Sequence, residues 1–145
     1  MRVVLHRVCR GQRYAIYALE ERPVVGENVE PNRPLEDFLN ELEASDADEH
    51  ARLVRLLEFV ADNEPPRNKE KCRSVGKDLF EFKTRGGVRV LWFYDAGRLI
   101  ICTHGFPKSQ EKRLSREVKR AEEWKKKYQI ARQTQQVIVI EETIL

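Results

Sequence analysis

The chain has 145 residues, with 27 Lys and Arg against 24 Asp and Glu and a formal net charge of +3. That length predicts one domain over residues 1–145 with a modest core, and no apolar run approaches the length of a membrane span or the pattern of a secretory signal. Cys9, Cys72 and Cys102 are odd in number and far apart, and His6, His50 and His104 are scattered. A soluble cytoplasmic protein with free thiols, no metal site and no cofactor is therefore expected.

The small net charge hides a partition. From Glu20 to Glu64 there are 14 acids and 4 bases, while Arg2, Arg7, Arg10 and Arg13 precede that block without any acid and the part after Pro65 is strongly basic. A molecule with one basic side is expected, and such a side commonly meets nucleic acid.

In chain order, Met1 to Cys9 and Arg13 to Leu19 are strand-like and flank Gly11, as a hairpin or as one bent strand. Glu21 to Arg33, with Pro23, Gly26, Pro31 and Asn32, reads as a loop. Pro34 suits a first helical position, and Leu35, Phe38, Leu39 and Leu42 follow at the spacing of one helix face. Ser45 or Asp46 caps a second helix, with Glu49 placed as in a capping box and Leu53, Val54, Leu57, Val60 and Ala61 as its apolar stripe. It ends before Pro65-Pro66, and the two helices form a hairpin whose apolar faces need a sheet to lie on.

Arg67 to Lys77 reads as a basic loop, in which Arg73 and Lys77 are candidate nucleic-acid contacts. Three strands follow between Leu79 and Lys108. Phe80 and Phe82 alternate with Glu81 and Lys83, Arg85-Gly86-Gly87 turns, Val88 to Tyr94 is a β-branched and aromatic run, and Asp95-Ala96-Gly97 turns again into Arg98 to Phe106.

Two cations inside these strands need a reason. A three-residue turn at Arg85 to Gly87 pairs Lys83 with Arg89 on one face; a two-residue Gly86-Gly87 turn would pair Thr84 with Arg89 and mix the faces. The first register is preferred because it keeps the Phe80/Phe82 face apolar. Like charges so placed repel unless Glu81 and helix carboxylates pair with them, or unless the face is an anion site, most naturally for phosphate.

Beyond Phe106-Pro107-Lys108-Ser109 comes a basic helix with Leu114, Val118, Ala121 and Tyr128 on one stripe. Its distal lysines read as a solvated face, whereas Lys108, Lys112 and Arg113, beside the sheet end, are candidate ligand contacts, as is Arg85 in the turn. Val137 to Ile140 is an apolar run that needs cover from the sheet edge, from the N-terminal hairpin or from a second subunit. A homodimer through the N- or C-terminal strand is thus one of its readings.

The order of elements, with Leu79-Phe80-Glu81-Phe82-Lys83, then Val88-Arg89-Val90-Leu91, then His104-Gly105-Phe106-Pro107-Lys108, resembles the RelE/ParE toxin superfamily, and within it the phage-derived HigB-like branch. The resemblance covers about residues 12–128 and leaves 129–145 as a C-terminal extension with room for an extra strand. It implies an α+β fold: a RelE-like antiparallel sheet with an N-terminal helical hairpin packed on one face and a C-terminal basic helix. It further implies the toxin of a type II toxin–antitoxin pair, partnered by a cognate antitoxin protein, that acts with the ribosome as an mRNA endoribonuclease and inhibits translation.

Carried over by position, the strand cations are Lys83 and Arg89 and the strand-end cation is Lys108. Where such proteins place a Tyr or His near the start of the last helix, this sequence has Leu114 and Ser115. Metal-free cleavage would drive the RNA's 2′-hydroxyl against the adjacent phosphate, with Arg89 clamping two oxygens, Lys83 and Lys108 stabilising charge or moving a proton, and His104 a further candidate acid or base. Two rivals remain: a ParE-like toxin directed at gyrase, against which the three cations argue, and a non-catalytic module that holds nucleic acid through phosphates.

Overall fold

Two apolar runs near the start of the chain decide the architecture. Val3, Val4, Leu5 and Val8 lie in β1 (Arg2–Arg10), and Ile16 to Leu19 lie in β2 (Ala15–Arg22); all are buried, so both faces of these strands require cover. The computed structural model describes residues 2–24, 26, 28, 30–108 and 113–145. In it β1 and β2 form a hairpin inside a seven-stranded sheet. The remaining strands are β3 (Cys72–Gly76), β4 (Leu79–Lys83), β5 (Arg89–Asp95), β6 (Leu99–Phe106) and β7 (Val137–Ile140), and the order is β3-β4-β5-β6-β2-β1-β7.

This overturns the expected antiparallel sheet with an N-terminal helical hairpin. The sheet is mixed, because β2 runs parallel to β6 and β7 parallel to β1. The helical hairpin, α1 (Pro34–Ser45) and α2 (Ala47–Asp62), comes after β1 and β2 rather than leading the chain. The physical reason lies in those first strands: with successive residues buried on both faces, they occupy the sheet interior instead of yielding that place to helices.

Helices cover both faces. Leu35, Leu39, Leu53 and Leu57 of the hairpin pack on Ile16, Val90, Trp92 and Ile100, and Phe82 and Phe80 stack on Trp92 at 4.5 and 4.8 Å. On the other face, Ala121, Trp124 and Tyr128 of α3 (Leu114–Gln133) pack on Leu5, Leu91, Phe93 and Ile101. Among the described residues, no helix is long and apolar enough to cross a membrane.

Local signals fared well where short-range physics rules. Pro34 opens α1, and Asp46 caps α2 by accepting from the Glu49 N–H at 3.2 Å. The Glu49 carboxylate does not return to the cap as a capping box would have it; it accepts from the Thr84 hydroxyl at 2.5 Å instead. The supposed basic loop after Arg67 contains β3, a short edge strand that offers only Val75 as a β-branched residue. Val137 to Ile140 takes the second of its three readings, adding to the N-terminal hairpin through β1.

Gly105 of β6 shows how closely α1 approaches the sheet. The Phe38 ring occupies the space where a β-carbon at residue 105 would stand. Gly105→Ala should lower the unfolding free energy by about 1–3 kcal/mol through overpacking, read as a lower urea midpoint. An unchanged midpoint would mean that the ring swings aside without cost.

Candidate nucleic-acid interface

The β4–β5 hairpin is closed by backbone bonds from Thr84 N–H to Val88 O at 2.9 Å and from Gly87 N–H to Thr84 O at 3.0 Å. Gly87 has φ of +90°, a conformation that side chains resist, so the turn takes the three residues Arg85 to Gly87. That register sets Lys83 opposite Arg89, on the strand face that also carries Glu81 and Leu91.

The repulsion is answered by Glu81. It lies opposite Arg73 on the next strand, and its two oxygens accept from Arg73 Nε and from an Arg89 guanidinium nitrogen, each at 3.0 Å. Arg89 is 1% exposed and Glu81 likewise 1%. A charge at this depth persists only when paired and hydrogen-bonded. The row beside it runs from Lys71 to Lys83, joined by a 2.8 Å backbone bond, and on to Arg89.

Lys108 reaches the same end of the sheet from β6. A β-carbon at Gly87 would stand 2.8 Å from the Lys108 β-carbon, so the lysine stem lies across the turn and its residue is exposed. Arg85 is exposed on that turn, and Arg113 is exposed just before α3. The structure therefore brings together Lys83, Arg85, Arg89 and Lys108, with Arg73 joined through Glu81. Lys77 stands apart, in the turn at the opposite end of β4, where its carbonyl accepts from Lys125. Lys112 lies outside the described residues.

His104 belongs to the layer beneath. It is 2% exposed; Nε2 bonds the Glu117 carboxylate of α3 at 2.8 Å and Nδ1 meets the Thr103 hydroxyl at 3.1 Å. Burial holds its pKa below the ordinary value of 6.5, the Arg120 guanidinium adds to this, and Glu117 opposes both. A neutral imidazole thus ties α3 to β6. Leu114 packs into the core under α3, and Ser115 is exposed in the first helical turn.

Glu81 pairs with a strand cation as the sequence allowed, whereas the contact between Glu49 and Thr84 was not anticipated. The Glu81 role had a signal, since it lies two residues from Lys83 on the same strand face; the Glu49 contact is a tertiary match with no local trace. Among the described residues, no group of three or more His, Cys, Asp or Glu could hold a metal ion.

Two measurements test this layer. Glu81→Ala should cost about 3–5 kcal/mol in urea unfolding, because it removes the carboxylate paired with a buried guanidinium; a loss below 1 kcal/mol, roughly that of a surface pair, would contradict the pairing. His104 also gives stability a pH slope: with its folded pKa depressed, the unfolded chain takes up the proton first, so stability is full above 6.5 and falls as pH drops below it. His104→Phe should flatten that part of the thermal-melt profile.

A family model described as Phage derived protein Gp49-like (DUF891) matches residues 40–126, more than half of the chain, from within α1 to the middle of α3. No curated protein matches the sequence. The matched span contains Lys83, Arg89, His104 and Lys108, and leaves β1, β2 and β7 outside it. The chain belongs to the phage-derived Gp49-like family, a RelE-like toxin family associated with toxin–antitoxin pairs, for which a cognate antitoxin is the implied partner.

Proposed function

We propose that the protein is the toxin of a type II pair and cuts mRNA on the ribosome without a metal, at the sheet end that carries Lys83, Arg89 and Lys108. The observation that carries this reading is their convergence: Lys83 and Arg89 are cross-strand partners, and the Lys108 stem lies on the turn that joins their strands. Charge that grows on phosphoryl oxygens is stabilised by donors already in place, and three cations at one strand end supply them.

In this reaction the 2′-oxygen forms a bond to phosphorus, the bond to the 5′-oxygen breaks, and the products are a cyclic phosphate and a 5′-hydroxyl. Lys83 and Lys108 face solvent more than Arg89 does, so they meet the phosphate first; the lysine that takes the 2′ proton does so as the neutral amine, after losing a proton to solvent, and the other, as ammonium, protonates the leaving oxygen. Arg89, held by Glu81, adds field from below, and a phosphate oxygen that reaches it competes with the Glu81 carboxylate. His104, engaged at both ring nitrogens, acts by holding α3 over the sheet. The ribosome aligns the 2′-hydroxyl, which lightens the demand on the toxin's own proton-transfer groups.

One observation favours a second reading. His104, on the strand that leads to Lys108, is buried and bonded to Glu117, which suits a module that grips phosphates without cutting. Purified protein added to translating ribosomes, with primer extension to map cuts, separates the readings. Lys83→Ala and Lys108→Ala should each slow cutting by about 10²-fold or more while ribosome binding persists. Absence of cuts with wild-type protein would overturn the enzyme, and inhibition of supercoiling in its place would favour gyrase as the target.

A further inference from the structure

A groove of about 750 Å³ opens beside the three-cation edge, between α2, the segment before β3 and the β4–β5 turn. Its helical wall is Arg52, Arg55, Leu56 and Phe59, spaced i, i+3, i+4 and i+7 and hence one stripe of α2, next to the stripe that faces the core. Pro66, Arg67 and Lys71 form the opposite side, and Lys83, Thr84 and Arg85 close the end. Glu70 is the one carboxylate in the lining, against six cations, although the block from Glu20 to Glu64 that contains α2 is acidic as a whole. Phe59 is 52% exposed within this basic surface.

We infer that this groove holds the single-stranded RNA next to the cleaved phosphate, with a base stacked on Phe59 and the backbone phosphates along Arg55, Arg67, Lys71 and Arg85. The inference builds on the RNA-cutting reading of the neighbouring edge. An exposed aromatic ring among guanidinium groups suits a base and its phosphates together, since stacking tolerates any base and the cations track the backbone. The volume lies in the range of small-ligand sites, with room for nucleotides threaded singly. An acidic peptide added as a strand would need an unpaired edge. Of the lining residues Lys83 belongs to a strand, and its backbone is already paired with Lys71 and Arg89.

The groove is continuous with the cationic edge. Lys83 both lines the groove and faces Arg89, and Arg85 stands on the turn that Lys108 crosses. A strand that leaves Phe59 along the groove delivers a following phosphate to Lys83 and Lys108.

Binding is measured apart from cleavage with a fluorescent, fully 2′-O-methylated RNA of about ten nucleotides, followed by anisotropy across a salt series. Phe59→Ala should weaken binding by about tenfold with the salt slope unchanged, and Arg67→Glu should weaken it and lower the slope by about 1. Lys126→Glu, on exposed α3 away from the groove, should change little by comparison. Wild-type affinity in Phe59→Ala, an equal loss in Lys126→Glu, or equal binding of an RNA duplex would overturn the inference. So would a glutamate-rich peptide that binds wild type and loses affinity in Phe59→Ala while the RNA does not, which would give the groove to a protein. Phe59-dependent RNA binding without cuts on ribosomes would keep the groove and sink the enzyme; cuts with RNA binding indifferent to Phe59 would do the reverse.

Discussion

Glu81 is the carboxylate on which the basic end of this sheet depends. Three strands place Arg73, Lys83 and Arg89 within one neighbourhood, and without an acid between them the hairpin would bring like charges together at low exposure. Glu81 bonds two of the three and so lets Arg89 sit inside the fold. The arrangement stores a positive field at the strand ends and leaves Lys83 and Lys108 to meet what comes from solvent.

Around that pairing the other elements act as props. Gly87 allows the Lys108 stem to cross the turn, Thr84 is held from the α2 side by Glu49, and α3 is fixed over β6 by the bond between His104 and Glu117. Arg52 also bonds Glu49, so the helix that braces the turn carries the first cation of the groove stripe. The helices that cover the sheet thus also set the position of the cations at its end.

The sequence made some of this legible. The register of Lys83 against Arg89 follows from turn chemistry and the alternation of Phe80 and Phe82, and α1 and α2 follow from apolar period and cap residues. The mixed sheet did not: parallel pairing of β2 with β6 and of β7 with β1 joins segments far apart in the chain, where no turn signal exists. Alternation showed which face Arg89 is on but not its depth, which depends on the tertiary cover over that face. The stripe of Arg52, Arg55, Leu56 and Phe59 was present as a period in α2 and was obscured by the acidic average of its surroundings.

In the proposed reaction this cationic edge turns an RNA's own 2′-hydroxyl against its phosphate. The chemistry of the cut ends tests it most directly. Fragments from translating ribosomes treated with the toxin should carry a 2′,3′-cyclic phosphate, or the 3′-phosphate it hydrolyses to, on the upstream piece and a 5′-hydroxyl on the downstream piece. Fragments that end in a 3′-hydroxyl and a 5′-phosphate would contradict it, because water rather than the 2′-oxygen would then have attacked.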